Sequence, residues 1–579
     1  MNMVYQDRWY QTEAVDATFD YFAANGGIDP ETGGPRKANP IIALPTGTGK
    51  SLVIGRTAKR AISEYPLTRL IMATHVKELI DQNARKLLDI WPTAPLGVFS
   101  AGLRSRDFIQ PIIYGGVKSM VGKLDDNGRS VLGHRDLLLI DEAHLVSPSV
   151  DTQYVQLIME LLAINPWLKV IGYTATNYRL GLGHLTNGPI FSHTCYDLTG
   201  IDGFARLLAD GFLSPIFPQK TGVELDVSGV GMNGGEFIAG QLAAAVDKYE
   251  DTLACLKDFV QHGYNRRSWL LFAASIEHAE HIGEMLNGYF GVPTGVVHSK
   301  MKDGERDRVI KEFKRGNLRA IVNKDILTTG FDYPPIDYIG MLRPTMSTGL
   351  WVQMLGRATR PWLGGWLDIG DGEKIYIPWV KQDAIVRDYA GNTRRLGPIN
   401  DPVIPKPKGK GAPGDAPVRI CHECGTYVHA SKRECPVCGA EFDFSPDLTK
   451  NASTDELIRS NLPQVEYFNV VHVVYDKHVS RAMKNKYPDH DPSVLPFQIK
   501  IAYYCEGMRT FYEYKTVEDT GDGNNFARKR GRDWFRQRYP GEPPETNAEV
   551  LVVVSQLRKP ARIRVWINKK YPEVLGYEF

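Results

Sequence analysis

The sequence predicts an α/β molecule: two tandem parallel-sheet domains, then a short cysteine-bearing ribbon and a small β-rich α+β domain. Three observations predict it. Short, fully apolar runs recur through the first 400 residues, and each delivers glycine, hydroxyl or charged residues at its C-terminal end. Such runs fit strands buried on both faces, the mark of parallel sheets. Four of the seven cysteines then fall in two CxxC pairs, at Cys421/Cys424 and Cys435/Cys438. From about residue 451 the texture turns to β-branched and aromatic runs that read as shorter strands.

Composition sets the outer limits. The length of 579 residues suggests roughly four domains. With 43% hydrophobic and 23% charged residues, the chain is an ordinary soluble one able to bury real cores. No apolar run reaches the ~18 residues a membrane span needs. Residues 1–20 lack the basic head and apolar centre of a secretory signal. Seven cysteines, four of them clustered, suit a reducing interior and metal binding better than a disulfide scaffold, so the expected location is cytoplasmic. A net charge of +2 gives no global basic field, so any nucleic-acid surface must be local. No internal repeat of solenoid length is visible.

The chain opens with Arg8 and Gln11, ahead of an amphipathic helix over residues 12–23. An amide such as Gln11 can donate to and accept from an adenine edge, and Arg8 can lie against a base face. Residues 25–39 hold six Gly and Pro and read as a loop. Residues 41–51, IIALPTGTGKS, follow. A buried strand ends at Leu44; Thr46, Gly47, Thr48 and Gly49 form a tight loop; Lys50 and Ser51 open a helix. Close-set glycines let backbone N–H groups wrap an anion, with the helix N-terminus behind them. Lys50 would reach the β- and γ-phosphates of ATP, and Ser51 would ligate Mg²⁺. Leu44 stands where the strict phosphate-loop pattern has glycine.

Residues 69–75 form the next strand, with Thr74, His75 and Lys77 at its ligand-facing end. Residues 112–119 repeat strand, glycine turn and polar helix start, and Gly115, Gly116 and Lys118 suit phosphodiester oxygens. The apolar strand ending in Asp141-Glu142-Ala143-His144 supplies two carboxylates: Asp141 for Mg²⁺, Glu142 to polarise the attacking water. The strand over residues 170–173 ends in Thr174-Ala175-Thr176, whose hydroxyls are placed to bond His144 or the carboxylates and report the nucleotide state.

PTGTGKS, DEAH and TAT, in this order on strand ends, resemble the first motor domain of a superfamily 2 helicase or translocase. The resemblance implies two RecA-like domains, over residues 1–200 and 201–400. Strands at 269–275, 296–299 and 319–323 provide the second. Thr328-Thr329-Gly330-Phe331-Asp332 matches the family's fifth motif, with Gly330 and Asp332 toward nucleotide and Thr328 and Thr329 toward nucleic acid. Gln353, Arg357 and Arg360 match QxxGRxxR; their i, i+4, i+7 spacing puts them on one helical face, from which the arginines would act as fingers on the γ-phosphate. RWYQ, LPTGTGKSLVI, HVKELIDQN, LTTGFD, LRPT and DYAGN resemble RadD-type bacterial DNA-repair helicases in particular. A phage-encoded member would fit the compact form. Asn177 follows TAT where relatives often have proline, and the chain has one four-cysteine cluster where RadD-type chains carry more.

Residues 401–418 are rich in Pro, Gly and Lys and read as a flexible linker. Cys421, Cys424, Cys435 and Cys438, in two CxxCG knuckles, predict a structural zinc ribbon over residues 419–445. Cys195, Cys255 and Cys505 read as core residues or inert thiols. The last region, residues 450–579, is expected to place strands at 467–475, 497–504, 509–514, 550–554 and 561–566, as a small α+β domain or an OB-like barrel. Between the third and fourth, six basic residues surround Trp534 and Phe535. Two readings stand for that stretch: phosphate binding with base stacking, or a solvated helix whose aromatics plug the β core.

The resemblance implies an ATP-dependent motor acting on nucleic acid, most directly single-stranded or branched DNA, as a monomer in a bacterial or phage-infected cell, with a replication or repair protein as a further partner. A translocase without strand separation, an RNA helicase and a nucleotide-switched scaffold remain open beside it.

Overall fold

The computed structural model describes residues 8–404 apart from 148, 150, 151, 181, 329 and 371; the stretches 418–420, 423, 427–429 and 440–441; and residues 463–579 apart from 488, 489, 492–494, 519–524 and 570. The chain divides into two compact units: Met1–Leu207 with Gly211–Ser460, and Leu208–Asp210 with Asn461–Phe579.

The first unit holds two major sheets. Strands β1 (Pro40–Ala43), β2 (Leu70–Thr74), β3 (Leu96–Ser100), β4 (Ser105–Arg106), β5 (Ile112–Gly116), β6 (Leu137–Asp141), β7 (Lys169–Thr174) and β8 (His193–Asp197) form an eight-stranded sheet in the order β8-β1-β7-β6-β2-β5-β3-β4. All neighbours are parallel except β3 and β4. The apolar runs form these strands because helices cover them: Ile41, Ile71, Ile113, Leu138 and Val170 share one core with Leu157 and Leu161. Helices α1 (Trp9–Asn25), α2 (Lys50–Glu64) and α3 (Lys77–Ile90) belong to this lobe. Because β1, β7 and β6 are adjacent, the phosphate loop, the TAT segment and the paired carboxylates share one sheet edge.

A second sheet, wholly parallel, follows: β9 (Ile216–Gln219), β10 (Trp269–Ala273), β11 (Thr294–His298), β12 (Ala320–Lys324), β13 (Tyr338–Leu342) and β14 (Ala384–Asp388), in the order β9-β14-β13-β10-β12-β11. Helices α4 (Asp303–Arg315) and α5 (Thr348–Leu355) carry its charged face and its QxxGRxxR start. The expected division near residue 200 falls between the two sheets.

The second unit is α+β. Strands β15 (Val465–His478), β16 (Gln498–Cys505), β17 (Arg509–Lys515), β18 (Arg562–Trp566) and β19 (Glu573–Glu578) make an antiparallel sheet in the order β17-β16-β15-β18-β19. Its edge strands β17 and β19 share no ladder, but Tyr577 of β19 donates to the Glu513 carboxylate of β17 at 2.8 Å, so the sheet curls back on itself. Helix α6 (Asn525–Arg536) packs Trp534 and Phe535 into the sheet's core, so the core-plugging reading of these aromatics holds. The strand expected at 550–554 is instead helix α7 (Asn547–Val553). Thr546 and Glu549 close a reciprocal capping box at its start, and that local nucleus overrides the β-branched run.

Cys421, Cys424, Cys435 and Cys438, with most of the linker, lie outside the described residues. Val418–Ile420 and Tyr427–His429 pair antiparallel on either side of the first CxxC. No described helix is long and apolar enough to cross a membrane.

Candidate functional site

The site begins at the loop after β1. Gly47 (φ +89°) and Gly49 (φ +83°) both adopt left-handed backbone, which side-chain-bearing residues rarely do. Gly49 is the N-cap of α2, and no side chain caps that helix, so its first N–H groups face the loop uncovered. The loop is braced from behind by α1. Tyr10 Oη and Gln11 Nε2 donate to the Thr48 carbonyl at 2.7 and 3.0 Å, and Arg56 donates to Gln11 Oε1 at 2.7 Å. Thr48 Oγ1 donates to the Pro45 carbonyl at 2.7 Å. Gln11 is buried, with both ends of its amide engaged, so here it holds the loop's shape. The Arg8 guanidinium rests on the Phe212 ring, 4.9 Å from its centroid.

Two strands away, Asp141 accepts from Asn83 Nδ2 at 2.9 Å and from the Glu142 N–H at 3.0 Å. Burial, with the Glu142 charge beside it, pushes the Asp141 carboxyl up to about 6, against the pull of Lys50. Burial acts the same way on Glu142 but is outweighed, Lys50 first, so Glu142 lies below its ordinary value. Of the two, Glu142 gives up its proton more readily. A divalent cation against Asp141 would favour the ionised form of that carboxyl as well. Glu142 sits at φ +57°, ψ +53°, left-handed for a non-glycine residue, a conformation that costs of order 1 kcal/mol and clusters at working sites. Its Oε2 is buried without a hydrogen-bond partner. An orphaned carboxylate oxygen beside an uncapped phosphate loop fits a nucleotide with Mg²⁺ and an attacking water.

From there a relay crosses to the second sheet. His144 Nδ1 lies 3.1 Å from Thr174 Oγ1, and Nε2 lies 2.9 Å from Gln353 Nε2. Burial lowers His144 to about 4, so the ring is neutral at pH 7. The amide of Gln353 donates to Nε2, which leaves the proton on Nδ1 for Thr174. The Thr174 hydroxyl in turn donates to the Thr176 carbonyl at 2.9 Å and accepts its N–H at 3.0 Å. Thr174 thus makes the expected bond to His144; Thr176 enters through its backbone, and its own hydroxyl is buried without a hydrogen-bond partner.

The arginines arrive differently from the expectation. Helix α5 ends at Leu355, so Gln353, Arg357 and Arg360 do not share one helical face. Gly356 ends it at a contact no other residue could make: an added Cβ would meet Thr46 Cβ at 2.5 Å. The chain then turns, and Thr359 Oγ1 lies 3.2 Å from the Thr46 carbonyl. Arg360 lies over the phosphate loop, its Cγ 2.7 Å from where a Cβ on Gly47 would stand. Arg357 and Arg360 both donate to the Phe331 carbonyl, at 2.6 and 2.9 Å, and Arg360 pairs with Asp332 at 2.9 Å. Burial, with Arg360 nearby, pushes Arg357 down to about 9, still charged at neutral pH. Gly330 (φ +73°) offers its carbonyl to Gln82 of α3 at 2.7 Å.

The residues expected to touch nucleic acid divide. His75 and Lys118 are exposed. Lys77 pairs with Asp303 of α4, and Glu78 pairs with Arg306 at 3.2 Å. Thr74 and Thr328 are buried, Thr328 capping the Asp325 carbonyl at 2.6 Å, so neither hydroxyl offers a contact. Gly115 and Gly116 are also buried; a Cβ on Gly115 would meet Met120 Sδ at 2.6 Å, so packing explains that glycine. Thr329 lies outside the described residues.

Three site residues escaped the sequence reading. Asn83 orients Asp141. Gln82, its neighbour on α3, reaches the fifth motif. Lys381 is buried and donates to the carbonyls of Ala358, Arg360 and Pro334 at 2.6, 2.9 and 3.3 Å, holding the arginine-bearing turn. An adjacent amide pair inside an amphipathic helix, one buried and one half-buried, is a legible signal for the first two. A lone lysine in a loop is not.

Comparison with known proteins finds matches on both lobes. Residues 5–182 match the family model "Type III restriction enzyme, res subunit", and residues 251–361 match "Helicase conserved C-terminal domain". The chain is 25% identical over 366 residues to a Saccharomyces cerevisiae protein named as the ATP-dependent helicase IRC3, covering 61% of this chain and 49% of that one. It is 25% identical over 414 residues to a "51.5 kDa protein" of a Lactococcus phage, covering 70% and 78%. The chain therefore spans about half the length of the yeast relative. Among solved structures, a fragment of an HsdR subunit of a type I restriction enzyme from Vibrio vulnificus aligns with a TM-score of 0.47 and 18% identity, over 67% of this chain and 64% of that one.

Proposed function

We propose, from the premise that the chain carries both domains of a superfamily 2 helicase, that it hydrolyses ATP and uses the cycle to move along or unwind DNA. One observation carries the reading: the phosphate loop of the first sheet and the arginine turn of the second meet, Arg360 against Gly47 and Gln353 against His144.

In this reading Thr46 to Ser51 hold the phosphates, and Lys50 neutralises them. Ser51 and Asp141 would hold Mg²⁺, which supplies charge neutralisation at the β- and γ-phosphates. Glu142 orients and polarises the attacking water through Oε2, which accepts no hydrogen bond in the protein and lies 3.4 Å from His144 Nδ1. Arg357 and Arg360 complete the site only when the lobes are closed, so hydrolysis and lobe separation are coupled. Gln353, His144 and Thr174 carry the state of that closure to the carboxylates. Exposed His75 and Lys118 grip backbone phosphates, which carries no sequence code.

The finer assignment is to a RadD-type motor, in DNA repair, recombination or replication, within a bacterial or phage-infected cell. It works as a monomer with a repair or replication protein as partner, and Cys421, Cys424, Cys435 and Cys438 hold one structural Zn²⁺. The deciding experiment is the ATPase rate with single-stranded, duplex and forked DNA and with RNA. DNA, forked or single-stranded, should stimulate turnover, and Lys50→Ala should abolish it. No stimulation by any nucleic acid would end the motor reading. Stimulation by RNA alone would redirect it.

A further inference from the structure

The sheet of the second unit has one filled face and one open one. Ile499, Ile501, Tyr503, Phe511 and Phe535 close the first. On the other, alternation brings different residues together. The register pairs His472 with Tyr504, Asp476 with Lys500 and His478 with Gln498. It then pairs Tyr504 with Thr510, Ala502 with Tyr512 and Lys500 with Tyr514. Tyr504, Tyr512 and Tyr514 are 44%, 46% and 46% exposed, large aromatic rings left in water on two adjacent strands, β16 and β17.

Each ring has a basic companion. The Lys500 ammonium lies 4.6 Å from the centroid of Tyr512, the His478 ring 4.5 Å from that of Tyr514, and the His472 ring 6.4 Å from that of Tyr504. The carboxylate on this part of the face is Asp476, across from Lys500. Tyr512 and Tyr514 stand two residues apart, about 6.8 Å along the strand, twice the 3.4 Å rise of stacked bases. Each can therefore take a separate base from an unstacked strand; the bases of a duplex are not available to them.

We infer that this face, centred on Tyr504, Tyr512, Tyr514 and Lys500, is a stacking platform for single-stranded nucleic acid, separate from the nucleotide cleft. The rings bind base faces and the basic side chains bind phosphates, the combination that single-strand binders use. The motor reading and this inference share a class of partner but no residue. The platform replaces the stacking surface expected around Trp534 and Phe535, which are spent on the core.

The test uses the full-length chain, without ATP, by fluorescence anisotropy with labelled oligothymidylate and oligouridylate. Replacing Tyr504, Tyr512 and Tyr514 together by alanine should raise Kd by at least about fivefold per ring lost, while phenylalanine at the same positions should keep binding within about twofold. Thermal denaturation confirms that the variants fold, and ATPase without nucleic acid should be unchanged. A response on both oligonucleotides supports a platform indifferent to the sugar; a response on one identifies DNA or RNA as the ligand. If the alanine variant binds as the wild type does while DNA still stimulates ATPase, the platform is overturned and the motor stands. If phenylalanine weakens binding as much as alanine, the hydroxyls and not the rings are responsible, and the inference fails. If wild-type chain binds neither oligonucleotide, the platform fails, and ATPase stimulation then decides the motor separately.

Discussion

At the scale of single residues, the site is a set of groups held at their posts by neighbours. Arg360 reaches the phosphate loop from the second lobe, so Arg360→Ala should lower kcat by about a thousandfold or more, with little change in KM for ATP; steady-state ATPase measurements would show it. His144 supplies a pH signature. The folded chain holds its proton at about 4 against an ordinary 6.5, so the unfolded chain binds more protons between those values. Stability should therefore fall as pH drops from 6.5 towards 4, and His144→Asn should flatten that limb in thermal melts. Lys381→Met should leave three carbonyls without their donor and destabilise the chain by about 2–4 kcal/mol, with kcat falling as the arginine turn loosens. The sequence made Lys50, Asp141, Glu142 and the arginines legible because phosphate chemistry demands those residue types at fixed spacing. Lys381 was not legible, because it acts on other protein groups, whose positions only the fold determines.

At the scale of elements, strands were read well where burial on both faces left no polar alternation to misread, as in β1, β6 and β10. Errors came where a local signal outweighed composition. The capping box at Thr546 and Glu549 turned a valine-rich run into α7, and Gly356 stopped α5 before its arginines. Helix α6 depends on one close approach: a Cβ on Gly531 would lie 1.9 Å from the Thr516 carbonyl. Gly531→Ala should therefore pry α6 off its sheet. Trp534→Ala should cost about 3–5 kcal/mol, read by chemical denaturation of the second unit.

At the scale of the molecule, two sheets of similar build contribute unlike halves of one candidate site, and their tandem order was legible from the motif order alone. The way they touch was not, since it depends on distances that no spacing records. The contact of Gly356 with Thr46 is one of these. A hydrogen at that position, where every other amino acid carries carbon, sets how near the lobes come to each other. The two halves are consequently not interchangeable parts. A chimera that joined the first lobe to a relative's second lobe with even an alanine at this position would hold its arginines short of the phosphates, however faithfully each half folded.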